Sequence, residues 1–123
     1  MLSRQEVSSF IRTTFRSVWT LELLLFLKSE AERSWSRAEL VAALRGSDLI
    51  VSQGVDALTA AGLVVSDAQG NARYTPATAD LAKLVDQSEA AYAKSPDAVR
   101  RLIISSVNGG ITAFADAFRL RKD

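Results

Sequence analysis

Between Ser36 and Tyr74 a run of local signals leaves this chain little choice of architecture. Ser36-Arg37-Ala38-Glu39 is a capping box: the serine hydroxyl can accept from the Glu39 backbone N–H, while the Glu39 carboxylate reaches back to the N–H of Ser36. The helix it opens turns Leu40, Val41 and Leu44 inward, and Gly46 ends it. Ser47 is the N-cap of a second helix, with Asp48 well placed against the positive end of its dipole. Val51, Val55 and Leu58 supply its buried stripe. Gly62 stops it as a C′ glycine, with Leu63 folding back as the accompanying apolar contact. Leu63-Val64-Val65 and Ala72-Arg73-Tyr74 then flank Asp67-Ala68-Gln69-Gly70-Asn71, two β-prone runs around a glycine-containing turn. The expected order is helix, tight connection, helix, hairpin.

Helices are expected on both sides of this segment. From Leu2 to about Glu32 there is no Gly or Pro, and Val7, Phe10, Ile11, Thr14 and Val18 fall on one helical face. From Val18 apolar residues crowd every side of the pattern, as expected of a helix buried on nearly every side. The joint between an amphipathic first helix and a central second one is placed near Ser17. Beyond the hairpin, Thr75-Pro76 is read as the start of a helix, with proline where its missing N–H does no harm. Ser95-Pro96-Asp97 repeats the signal and opens Val99 to Val107. Asn108-Gly109-Gly110 breaks that helix, and Ile111 to Leu120 forms a last one. At 123 residues the whole reads as one domain: an N-terminal helix (1–17), a core (18–75) and C-terminal helices (76–123).

Composition narrows the chemistry. The chain has no cysteine and no histidine, which removes disulfides, thiolates, Ser-His-Asp catalysis and Cys/His zinc sites. The carboxylates form no cluster of the calcium-loop kind, and Asp80, Asp86 and Glu89 read as an exposed face lacking the lysine or histidine that catalysis would need. No glycine loop of the phosphate-binding type is present. The expectation is a protein without catalytic residues, metal or cofactor. The most apolar run, Leu21 to Leu27, holds Glu22 and is far short of the roughly 20 residues that span a bilayer. A cytoplasmic protein with no membrane partner is therefore expected.

Taken in order, Glu39-Leu40, Leu44, Ser47, Val51, Val55-Asp56, Leu58 and Ala61-Gly62-Leu63-Val64 resemble the winged helix-turn-helix of MarR-type and related bacterial transcription regulators. The eighteen-residue step from Leu40 to Leu58 and the Ala-Gly-Leu-Val ending are similar to the pattern of those families. The resemblance covers about Val18 to Thr75. It implies a mainly α fold with a small β-hairpin, that is, a winged helix-turn-helix with extra N- and C-terminal helices. It also implies a DNA-binding regulator of transcription, with double-stranded DNA as partner, and a homodimer whose terminal helices interleave. Val7, Phe10, Ile11, Phe114 and Phe118 are the residues expected at such a dimer interface; Phe114 and Phe118 either join Phe10 and Phe15 there or close the chain's own core, and the first is preferred.

Helix 48–61 would lie in the major groove. Gln53 suits adenine, Ser52 a base or a phosphate, and Leu49 or Ile50 a thymine methyl. Ser47 is a further reading candidate. Arg37 and Arg45, with Asn71 and Arg73 on the wing, would hold phosphates or the minor groove. Against this, helix 48–61 carries no Lys or Arg, and Ser36 to Thr75 has a net charge of −1. The charge for DNA must then come from Arg37, Arg45, Arg73 and the basic ends, which include Arg4, Arg12, Arg16, Arg119, Arg121 and Lys122. The alternative is a protein-interaction module whose Leu49-Ile50 surface meets a protein partner. Trp19 and Trp35 read as packing residues, Arg100-Arg101 as a solvated helix face, and Gly54 as a close helix crossing.

Overall fold

The structure, a computed structural model, describes residues 3–105. It is mainly helical with a small two-stranded antiparallel sheet. The order is α1 (Arg4–Thr14), α2 (Val18–Ser29), α3 (Arg37–Leu44), α4 (Asp48–Ala60), β1 (Val64–Ser66), β2 (Ala72–Tyr74) and α5 (Ala79–Lys94). A sixth helix, α6, runs over 96–105. Phe114, Phe118 and the basic residues Arg119, Arg121 and Lys122 lie outside the described residues. No helix among the described residues is long and apolar enough to cross a membrane.

The helix starts are set by hydroxyl caps. Ser3, Ser17, Ser36, Ser47 and Thr78 each accept from a backbone N–H three residues on. Both halves of the Ser36–Glu39 capping box form, at 3.1 and 2.9 Å. At the other end of α4, Gly62 at φ +79° lets Leu63 N–H reach the Leu58 carbonyl and its own N–H reach that of Thr59. This double closure is the Schellman motif, and it delivers Leu63 into the core.

Helix α2 is the hub. Leu21, Leu23, Leu24 and Leu27 are fully buried, as its all-round apolarity demands. Leu40 from α3, Val51, Val55 and Leu58 from α4, and Val85 from α5 close around it. Trp19 lies in a slot that two glycines leave open. A Cβ on Gly46 would come within 2.9 Å of its ring, and one on Gly54 within 3.0 Å of the ring and 2.8 Å of Leu23. Gly54 is thus where α4 crosses α2 at close range.

Several local expectations are corrected. The residue that turns left-handed after α3 is Arg45, at φ 54°, and not Gly46, whose glycine serves the Trp19 slot. Helix α5 begins at Ala79, because Thr75 and Ala77 donate their N–H groups back to the Leu63 and Gly62 carbonyls and tie the chain around Pro76 to the turn after α4. Ile11 and Phe15, expected at a subunit interface, are closed inside the chain's own core at 1% and 0% exposure. Val7 and Phe10 pack against the same core, the Phe10 ring standing edge-on to Phe15 at 5.9 Å. Asp86 and Glu89 do have a lysine: Lys28 of α2 sits between them at 3.3 and 2.6 Å, tying α2 to α5.

The hairpin pairs Val64 with Tyr74, Val65 with Arg73 and Ser66 with Ala72. It has a further neighbour that no strand pattern announced. Trp35 exchanges both backbone hydrogen bonds with Ala72, at 2.7 and 2.8 Å, and adds a one-residue bridge just before α3 begins.

Candidate functional site

The outer side of α4, the turn before it and the tip of the hairpin form the surface in question. Along α4, positions Val51, Gly54, Val55 and Leu58 are buried, so the helix turns the residues between them outward. Leu49 and Ile50 are 66% and 46% exposed, in the same range as Val65 and Ile104 elsewhere on the surface. Gln53 and Asp56 are also exposed, whereas Ser52 is half-buried. Ser47 is exposed, but its hydroxyl is engaged as the cap, accepting from Ile50 N–H at 3.1 Å.

Arg37 holds this surface together. Its Nε donates to the Gly70 carbonyl at the hairpin turn (3.2 Å), and its Nη2 lies 3.6 Å from the Asp56 carboxylate. One side chain from the first turn of α3 therefore links α4 and the hairpin. The same contact supplies the cation that Asp56 needs if it is to lie near an anionic partner. Of the two carboxylates on α4, Asp56 and Asp48, only Asp56 has this contact.

The hairpin turn is stiffened by Asp67, whose Oδ1 accepts from the N–H groups of Gln69 and Asn71, both at 2.9 Å. Those bonds, that from Asn71 foremost, hold the Asp67 carboxyl below the usual carboxylate range. Asn71 is half-buried in this arrangement, so its backbone serves the turn. Arg73 is exposed on the outer face of β2, but its Nε donates to the Ala31 carbonyl at 2.9 Å, clamping the hairpin to the turn that follows α2. Arg45 differs from both. It is exposed, it stands at the turn between α3 and α4, and it makes no hydrogen bond or ion pair with another described residue.

Sequence reasoning missed Arg33. Its guanidinium stacks 3.7 Å from the centre of the Trp35 ring and pairs with the Glu39 carboxylate. Glu39 is accordingly held below its usual range, by the Ser36 backbone N–H first and Arg33 second. The missing signal was the Trp35–Ala72 bridge. It fixes the indole between the Phe26 ring, 4.8 Å away, and Arg33. Helix α4 carries no cation of its own; Arg37 reaches it through Asp56 and Arg45 stands at the turn before it, while Arg33 and Arg73 make their contacts at Trp35, Glu39 and Ala31.

Neither the family models, the curated proteins nor the solved structures offer a match to this chain. Its functional reading rests on its own residues. Among the described residues no group of three or more His, Cys, Asp or Glu is arranged to hold a metal ion. What the surface offers is an exposed helix face with apolar and amide groups, with Arg37 and Arg45 at its edge and the hairpin turn tied to it through Arg37.

Proposed function

We propose that this chain is a DNA-binding transcription regulator of the winged helix-turn-helix type, acting in the cytoplasm as a homodimer. The observation that supports it most directly is the Arg37 linkage, which joins α3, the exposed face of α4 and the hairpin turn into one frame. A helix entering a major groove must keep its angle to a flanking wing, and this linkage ties the two together. In this reading Gln53 and Leu49 meet base edges, and Arg45 meets a phosphate. Arg37 and Arg73 position the wing as well as adding charge. Homodimer formation is carried by the resemblance to MarR-type regulators. With Ile11 and Phe15 closed, its surface would draw on Phe114 and Phe118.

Because Arg37 and Arg73 hold the fold, truncating either would confuse binding with structure. Arg45→Gly is the cleaner variant. Glycine relieves the left-handed backbone, worth about 1–2 kcal/mol. It also loosens the unfolded chain, which costs about 0.4–1 kcal/mol, so stability should hold or rise slightly. In a mobility-shift assay, Arg45→Gly should weaken binding to specific and random duplex alike and lower the salt slope by about one. Gln53→Ala should lower discrimination at one base pair only. Absence of any retardation of random duplex at micromolar wild-type protein and low salt would falsify DNA binding.

A second reading is favoured by the exposed Leu49-Ile50 pair and the absence of a cation on α4. It makes the same face a protein-docking surface, and silence in the mobility-shift assay would select it.

A further inference from the structure

A groove of about 580 Å³ runs between α1, α5 and α6, on residues to which DNA reading assigns no part. Each helix contributes one face to it. The lining positions step by three, four and seven from Arg4 on α1, from Gln87 on α5 and from Ser95 just before α6. Seven residues at about 1.5 Å each give walls about 10 Å long. The floor is apolar: Ile11 and Val99 are closed, and Val7 and Leu102 flank them half-buried. The size lies within the range of about 300–1,000 Å³ that takes small-molecule ligands.

Among its described lining residues this groove carries charge of one sign. Arg4 and Lys94 line it, and no carboxylate is among its described lining residues. Both are exposed, and neither makes a hydrogen bond or ion pair with another described residue. A second groove of similar volume, about 600 Å³, lies against another face of α1 and has the opposite character. Its only charged lining residue among those described is Glu6, and its apolar content comes down to Phe10 and Leu84. Two cations over an apolar floor are matched by an occupant with an apolar body and an anionic end.

We infer that the α1–α5–α6 groove binds a small amphipathic carboxylate, its apolar chain along Ile11 and Val99 and its carboxylate on Arg4 and Lys94. The chain length is that of a medium acyl group, set by the 10 Å walls. The inference does not depend on DNA binding, and its test leaves that reading untouched.

The test is equilibrium dialysis of octanoate against the full chain, below the concentration at which octanoate aggregates. Saturable uptake of one octanoate per chain is expected. The Arg4→Glu/Lys94→Glu pair should lower its affinity by about tenfold or more, since charge-assisted hydrogen bonds are lost and repulsion replaces them. Lys83→Glu, an exposed lysine outside both grooves, should leave it unchanged. The neutral analogue 1-octanol should bind far more weakly. Uptake that does not saturate, that is equal for octanol, or that the charge-reversed pair retains would overturn the assignment. Should the reversed pair fail to fold by circular dichroism, Arg4→Gln/Lys94→Gln removes the charges without repulsion. Undiminished octanoate binding by that pair would overturn it equally.

Discussion

The two sides of α4 are built to different rules. Toward α2, every position is consumed by packing: Val51, Val55 and Leu58 are closed, and Gly54 lies so near Leu23 and Trp19 that not even a methyl group fits without displacement. Away from α2, Leu49, Ile50 and Gln53 face solvent with no task inside the fold. The helix is therefore fixed in place by one side and left free to make contacts with the other. These outer positions are the ones at which the proposed contact outside the chain would be made.

The contrast is most severely tested at Gly54. Gly54→Ala gains about 1 kcal/mol in helix propensity, but forces Leu23 and the Trp19 ring to move. Overpacking of this kind costs about 1–3 kcal/mol, and a net loss of stability is expected in urea melts. A variant as stable as the parent would mean that the Trp19 slot is slack and that α4 is not fixed in place by that side.

Acid should separate the surroundings of the two sides next. Glu39 and Asp67, which hold the start of α3 and the hairpin turn, both titrate below their ordinary range. Their contribution is complete above the unfolded-state values near pH 4. It is lost as pH falls through the lower folded-state values. Hydrogen exchange at low pH should thus loosen the amides of Ser36, Gln69 and Asn71 before those of Val55 and Leu58. Simultaneous loss across all of them would show one cooperative unit instead of two.

The smallest effect is expected at the outer face. Leu49→Ser and Ile50→Ser should change stability by no more than about 0.5 kcal/mol each, as surface substitutions do. A larger loss in a thermal melt would mean that these side chains serve the monomer fold after all. A neutral result leaves them available for DNA or a protein partner.

Much of the framework was legible because its causes are local. The Ser36–Glu39 box, the Ser47 cap and the Gly62 stop each join backbone groups within a few residues, so spacing alone announces them. The α5 start was misplaced because Thr75-Pro76 carries the same local pattern as a true cap. What overrides it is a pair of hydrogen bonds to Leu63 and Gly62, far enough back in the chain that no local pattern shows them. The same holds for the candidate site. Gln53 and Leu49 are outward by helical periodicity and could be read. Arg33 could not, because its place depends on the bridge between Trp35 and Ala72, thirty-seven residues apart.

By itself the sequence determined where most of the helices start and stop, that α2 must be enclosed, and that thiol and imidazole chemistry is excluded. Those properties follow from side-chain type and short spacing. The tertiary structure alone decided that Gly46 and Gly54 share one tryptophan, that Arg37 joins α4 to the hairpin, and that Ile11 faces inward. It also left Arg4 and Lys94 over one apolar groove. Each of these is a contact between elements distant in the chain. Such contacts are selected by which faces can be buried together, and no stretch of sequence carries that information alone.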